Sequence, residues 1–430
     1  MHTNPGQSVV LEPQTDRPPW SVALRMFGPA YLVAVGYMDP GNWATDLAAG
    51  SRYGYGLLWV VAASSLMAMV LQSLCCRLGI ATGMDLAQAC RQRLPDAWRI
   101  PLWLLAEVAI VACDLAELVG SAIALQLLFG LPLPWGVALT AGDTLLLLAL
   151  QQFGIRRLEA LIIALVALVG ACFAWELALL RPNWLQVVAG FVPQPSVLRD
   201  GRQLYLAAGI LGATVMPHNL YLHSALVKNH PTADTAATKP RALRLATLDS
   251  VVALSLAFLV NAAILILAAG AFHGVVAHPV EDLRQAHTLL SPLLGTSLAG
   301  TLFAVALLAA GQSSTLTATM AGQVVMEGFL DLRLPGWQRR LITRAVALIP
   351  AMATVIWLGD QATAQLLVLS QVVLSLQLPF AVIPLVHFCT RRGLMGELRA
   401  PLWLQGISWL CAAAIVVINL SLLSAVVASL

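Results

Sequence analysis

Eleven times along the chain the sequence stays apolar for long enough to cross a lipid bilayer, and this repetition constrains the fold more than any other feature. A helix needs about 20 apolar residues to span the hydrocarbon. Such runs lie near 24–50, 56–78, 101–129, 131–150, 157–180, 203–227, 246–272, 294–328, 342–358, 362–388 and 402–424. Inside a membrane every backbone polar group must be satisfied within its own segment, so the runs read as helices and the chain as an all-α integral membrane protein. Composition agrees. Of the 430 residues only 10% are charged, against about 25% in a soluble domain.

The distribution of basic residues gives a topology. With the N-terminus in the cytoplasm and sides alternating, nineteen of the 24 Arg and Lys residues fall inside, leaving Arg52, Arg181, Arg199, Arg202 and Arg284 outside. That bias satisfies the positive-inside rule and puts the C-terminus outside. Residues 1–23 are polar and proline-bearing, without a basic head and apolar stretch, and read as a cytoplasmic tail rather than a signal peptide. Segment 84–99 is too charged to span and reads as an amphipathic stretch at the membrane surface.

Several function classes drop out. A net charge of +3 gives no reason to expect nucleic-acid binding, and the only lysines, Lys228 and Lys239, sit in no Gly-rich phosphate loop. The seven cysteines form no CxxC pair and read as small packed hydrophobes. There is no HExxH, and no nucleophile–base constellation suggests an enzyme.

Two tetrapeptides interrupt their spans. The first span carries Asp39-Pro40-Gly41-Asn42 and the sixth Met216-Pro217-His218-Asn219. Both have the form x-Pro-x-Asn and lie five spans apart, so the second copy runs opposite to the first. This is the mark of an inverted repeat, spans 1–5 (24–180) against spans 6–10 (203–388), with an eleventh helix (402–424) appended. Proline removes a helical hydrogen bond, and carbonyls freed at membrane depth must line a cavity or a ligand. If the breaks face each other, the donors are the Asp39 carboxylate, the Asn42 amide oxygen, backbone carbonyls around Ala213 and the Met216 thioether. Oxygen donors with one soft sulfur suit a divalent ion of intermediate softness such as Mn²⁺ or Fe²⁺.

Other polar groups within the spans point to proton movement. His218 and His223 are about 140° apart on a helix, so they are no two-His metal pair, and a histidine in a membrane cavity more naturally moves protons. Asp114 and Glu117, three apart in the third span, share a face on which two carboxylates can hold and pass a proton. Glu327 reads as a hydrogen-bonded strut, and Asp46 has no assignable role.

The segments DPGNWATD (39–46), ATVMPHNLYLHS (213–224), GQSSTLTATMAGQVVMEGF (311–329) and SQVVLSLQLPF (370–380) resemble the signatures of the Nramp family of divalent-metal transporters. The resemblance covers all eleven spans. It implies a LeuT-type fold and proton-coupled import of Mn²⁺, Fe²⁺ and similar ions such as Cd²⁺, with the metal as cargo and no cofactor. It also implies metal binding by Asp39, Asn42, Met216, the Ala213 carbonyl and Gln371, and a proton pathway through His218, Asp114, Glu117 and Arg344. With no twelfth helix, the chain is closest in pattern to bacterial members, which implies a monomer in the bacterial cytoplasmic membrane. The rival readings are a sodium-coupled amino-acid or nucleobase symporter of the same fold, and a membrane metal receptor. An acid in the first break would repel a substrate carboxylate, and no attached soluble domain supports a receptor.

Overall fold

A computed structural model describes residues 29–152, 155–228, 238–296, 298–332 and 336–429. The expected tail and the first residues of the first span lie outside them. Among the described residues there is no strand, and each expected span is helical. The first span is α1 (Pro29–Gly36) plus α2 (Pro40–Tyr53), and the second is α3 (Leu58–Thr82). A short α4 (Leu86–Arg93) precedes α5 (Arg99–Phe129), α6 (Leu133–Gln152) and α7 (Ile155–Leu180). After α8 (Trp184–Ala189), the sixth span is again divided, into α9 (Gly201–Val215) and α10 (Pro217–Lys228). The rest is α11 (Lys239–Phe272), α12 (Leu283–Leu294), α13 (Leu298–Leu330), α14 (Gly336–Ala353), α15 (Gly359–Thr390), a one-turn α16 (Arg392–Met395) and α17 (Leu402–Ser429).

Seven stretches among the described residues are long and apolar enough to cross a membrane unaided: Pro40–Thr82, Asp96–Phe129, Ile163–Leu180, Lys239–Phe272, Leu298–Leu330, Ala362–Thr390 and Leu402–Ala425. Other expected spans fall short of that measure for local reasons. The sixth is cut into pieces of 15 and 12 residues. The ninth is apolar only over the short run Leu341–Trp357. Large apolar side chains such as Phe129, Trp135, Leu139 and Trp175 stand exposed around the outside, as a lipid-facing surface requires.

The two prolines open new helices at the expected breaks. Asp39 is the N-cap of α2, with extended backbone, and Pro40 occupies the first helical position. Proline is tolerated there because that N–H has no helical partner anyway. Pro217 likewise opens α10. Each break is therefore a stop followed by a restart at proline, capped by Asp39 in the first. Between α9 and α10 the whole break is one residue, Met216, held at φ +37°. Such a conformation is costly for a side chain with a Cβ and persists only where surrounding contacts impose it.

Met216 packs among Ala109, Cys113, Ala318 and Leu374, and the helices around both breaks are close. Trp43 is fully buried, its ring 4.8 Å from Phe173 of α7 and 5.2 Å from Phe303 of α13, and its indole N–H donates to the freed Met38 carbonyl. Aromatic pairs of this kind add about 0.5–1.5 kcal/mol each. Gly212 of α9 lies against the backbone of α15, where a Cβ would come within 2.0 Å of the Gln371 carbonyl oxygen. In hydrocarbon, small residues at such crossings let helices associate through packing. Asn419 of α17 donates to the Ser375 carbonyl, which joins the last helix to α15.

Within segment 84–99 only the α4 half departs from its expected surface position, while residues 95–98 are exposed. Asp85 and Gln88 form a capping box for α4, and Leu86, Ala87, Ala89 and Cys90 are buried. The Leu86 N–H donates to Ser224 Oγ, and Lys228 pairs with Asp85 at 2.7 Å. The apolar face of α4 is covered by the bundle rather than by lipid, because α10 and α13 offer it both polar anchors and a packing surface.

Candidate metal centre

The two breaks meet. Asp39 Oδ1 accepts from the Asn42 backbone N–H at 2.9 Å and from Asn42 Nδ2 at 2.7 Å. The same Asn42 Nδ2 donates to the Ala213 carbonyl, 2.9 Å away across the break. Asp39 Oδ2 makes no hydrogen bond although it is fully buried. The Gln371 side chain fills the space above Gly41, beside Asp39 Oδ2, and its own Oε1 is likewise unbonded. A Cβ on Gly41 would fall 1.8 Å from Gln371 Nε2, so only glycine admits the amide there. Met216 sits among Ala109, Cys113, Ala318 and Leu374, and its thioether accepts from Asn219 Nδ2 at 3.4 Å. None of Asp39, Asn42, Ala213, Met216 and Gln371 is more than 1% exposed.

The charge pattern suits a cation. The carboxylate of Asp39 stands at the N-terminus of α2, where it is favoured, and the carbonyls at the C-terminus of α9 carry the negative end of that helix. Asn42 enters in an unexpected orientation. Its amino group bridges the two acceptors, while its Oδ1 accepts from Asn261 Nδ2 of α11 at 3.2 Å. Asn261 also donates to the Tyr37 carbonyl in the first break. Sequence reasoning missed Asn261, although a lone buried amide within the apolar run 246–272 was a signal for it.

The expected proton groups separate into two sets. Glu117 and Asp114 are buried on α5, and Glu117 Oε2 lies 3.8 Å from Arg344 of α14. Asp114, Arg344 and Asp39 are the charges that act on Glu117, so the acidic pair is in electrostatic contact with the break. His218 is buried at the start of α10, and neither of its ring nitrogens has a hydrogen-bond partner. His223 turns the other way. Its Nδ1 lies 2.5 Å from Gln72 Oε1, and Gln72 Nε2 donates to the Tyr37 hydroxyl, which in turn donates to the Val215 carbonyl. Glu327 accepts from Gln323, as a strut would, and Asp46 is buried on α2 with Oδ2 unbonded.

On the side that the charge bias assigns to the exterior, a cavity of about 760 Å³ is lined by Ala48, Arg52, Arg202, Leu206, Glu281 and Val368 among others. Glu281 pairs with both Arg52 and Arg202 at 2.8 Å across its mouth. Below it Gly209 packs against Thr45, Val368 and Val372, between the cavity and the break. The residues of the centre are buried.

Comparison with known proteins agrees with this architecture. The sequence model of the family described as natural resistance-associated macrophage protein-like (Nramp) matches residues 30–425. The divalent metal cation transporter MntH of Agrobacterium fabrum is 57% identical over 401 residues, covering 93% of this chain and 87% of that protein. The solved manganese transporter of Eremococcus coleocola superposes with a TM-score of 0.85 at 38% identity, covering 94% of this chain and 87% of that one. At 16% identity MhsT, solved with L-phenylalanine, still gives a TM-score of 0.63 over 92% of this chain and 98% of its own, a likeness of fold alone. The fold is the expected LeuT type, with the first and sixth helices broken. The chain belongs to the Nramp family.

Proposed function

We propose that this multi-pass membrane protein is a secondary transporter that imports divalent transition-metal ions, Mn²⁺ and Fe²⁺ foremost, across the bacterial cytoplasmic membrane with protons. One observation carries the reading: a buried carboxylate oxygen with no partner, Asp39 Oδ2, at the junction of two helix breaks that also present a carbonyl, two amides and a thioether. An unpaired buried carboxylate is costly unless a proton or cation joins it. An anion at this position disfavours an amino-acid substrate, whose own carboxylate it would repel. The relatives' names, divalent metal cation transporter and manganese transporter, support the same cargo.

In this reading the cation takes the place of the Asn42 amino group between Asp39 Oδ1 and the Ala213 carbonyl. The Asn42 amide then turns over to present its oxygen, and the Asn261 contact breaks. Met216 supplies the soft donor that disfavours Ca²⁺ and Mg²⁺, and Gln371 closes the site from α15. A divalent ion at Asp39 stabilises the ionised carboxylate, so a proton held there leaves. Asp114, Glu117 and Arg344 form its route away, with His218 at the break. Alternating access follows from moving the halves α1/α2 and α9/α10 about the centre. Uptake of Mn²⁺ into proteoliposomes with a pH dye inside tests both parts. Metal-dependent acidification supports coupled transport, binding without uptake would make the protein a receptor, and Mn²⁺ uptake without acidification would remove the proton.

A further inference from the structure

At the end of the bundle that the charge bias assigns to the cytoplasm, three arginines line one cavity of about 290 Å³. Arg93 is the last residue of α4, while Arg391 and Arg392 directly follow α15. Phe388, Gly393 and Leu394 complete the lining, and none of the six residues is acidic. Phe388 is fully buried, so part of the wall belongs to the low-dielectric interior, where charge interactions are stronger than in water.

The positive-inside rule accounts for basic residues at this end, but not for three of them sharing a cavity without a counter-ion. Neighbouring arginines are satisfied by the protein. Arg91 pairs with Asp331 at 3.1 Å, Arg77 donates to the Leu398 carbonyl, Arg99 to the Phe329 carbonyl and Arg399 to the Thr390 carbonyl. Among the described residues Arg93, Arg391 and Arg392 have no such side-chain partner. Exposed apolar surface leads to them. Phe380 and Ile383 of α15, each 39% exposed, and the partly exposed His387 are spaced three and four apart and so share one helix face. Arg391 acts electrostatically on His387, which places the cavity at the end of that face. The start of α17 lies alongside, because the Ala400 N–H donates to the Cys389 carbonyl, and it presents Leu402 and Trp403 at its surface. An exposed tryptophan beside basic residues is the usual furnishing of a membrane–water interface.

We propose that this cavity binds the phosphate headgroup of an anionic phospholipid in the cytoplasmic leaflet, with the acyl chains laid along the exposed face of α15 and the start of α17. Guanidinium groups present paired N–H donors that match phosphate oxygens, and basic pockets at the cytoplasmic ends of membrane helices recognise lipid headgroups in this way. The exposed apolar face selects a lipid over a soluble anion, because a free phosphate would leave that face uncovered. A bound phosphodiester joins α4 to the end of α15. α4 is anchored on α10 through Ser224 and Lys228, and α15 carries Gln371, so the lipid ties together elements that reach both sides of the Asp39 centre.

The test titrates dioleoylphosphatidylglycerol into the delipidated full-length protein in a non-ionic detergent, following thermal unfolding and, by native mass spectrometry, the lipid retained. The wild type is expected to hold phosphatidylglycerol and to unfold at a higher temperature with it, and dioleoylphosphatidylcholine should do neither. R93Q/R391Q/R392Q should bind phosphatidylglycerol about a hundredfold more weakly, at roughly fivefold for each arginine near a lipid phosphate. R93K/R391K/R392K keeps the charges and should recover most of that loss, which a folding defect would not allow. R241Q/R244Q removes two exposed arginines at the same end but outside the cavity, and should bind as the wild type does. Inorganic phosphate binding as tightly as phosphatidylglycerol would assign the cavity to a soluble anion and overturn the lipid. Equal stabilisation by phosphatidylcholine, undiminished binding by the triple glutamine variant, or an equal loss in R241Q/R244Q overturns the site itself.

Discussion

Asp39 does two separable things, and asparagine in its place removes only one of them. As N-cap of α2 its Oδ1 accepts from the Asn42 N–H. Asparagine and aspartate rank together as N-caps, so Asp39→Asn should change folding stability by no more than about 0.5 kcal/mol. The negative charge, by contrast, is what offsets taking a divalent ion out of water. Removing one partner of a buried charge pair costs about 3–5 kcal/mol, which is roughly two to three and a half orders of magnitude in Kd. Asp39→Ala loses the cap as well, for a further destabilisation of about 0.5–2 kcal/mol. Calorimetric titration with Mn²⁺, with thermal unfolding alongside, separates the terms: Asp39→Asn should unfold like the wild type yet bind Mn²⁺ at least about a hundredfold more weakly. A Kd within tenfold of the wild type would place the anionic ligand elsewhere. A large fall in Tm for the asparagine variant would make Asp39 structural.

Other perturbations probe the same geometry. Met216→Ala leaves an oxygen-rich centre, so Ca²⁺ should compete with Mn²⁺ roughly tenfold better than in the wild type; unchanged competition would remove the thioether from the selectivity argument. Gly41→Ala drives a methyl group into Gln371 Nε2 and should push that side chain off Asp39, lowering Mn²⁺ uptake while the protein still purifies as a folded species; normal uptake would show that Gln371 is dispensable. Asp114→Asn and Glu117→Gln should impair metal-stimulated acidification more than Mn²⁺ binding, and an equal loss of both would make the pair a structural element. Cysteine labelling should find positions 95 and 235 accessible from the cytoplasm and position 185 from outside. Position 235 lies outside the described residues, and Leu185 is 84% exposed. The reverse pattern would invert the topology.

What could be seen in the sequence was whatever is written locally. Apolar run length gave the helices, and the polar interruptions at 39–42 and 216–219 gave the breaks. The structure joins those breaks through Asn42 and the Ala213 carbonyl, as two facing interruptions require. How the chain restarts after the first break was also local: an Asp-Pro pair ahead of Asn is a helix start, because the carboxylate caps and the proline needs no donor. What the sequence left out is relational. Asn42 presents its amino group rather than its oxygen because two acceptors converge on it from different helices. The apolar face of α4 met protein rather than lipid, a choice decided by Ser224 and Lys228 more than a hundred residues away.

The two histidines of α10 show how far such relations reach. Five residues apart, they had to point in different directions, and spacing alone went no further. His218 remains at the break with both nitrogens unbonded. His223 is held by Gln72, and through Gln72 and Tyr37 it is tied to the Val215 carbonyl at the end of α9. That chain crosses from α10 to α3, then to the first break and on to the sixth-helix break. Any movement of α10 away from α3 must therefore break the His223–Gln72 bond, the first link of a chain that ends at Val215, one residue from Met216. Separation of α10 from α3 and occupancy of the Asp39 centre consequently act on the same strained residue, Met216, held at φ +37°.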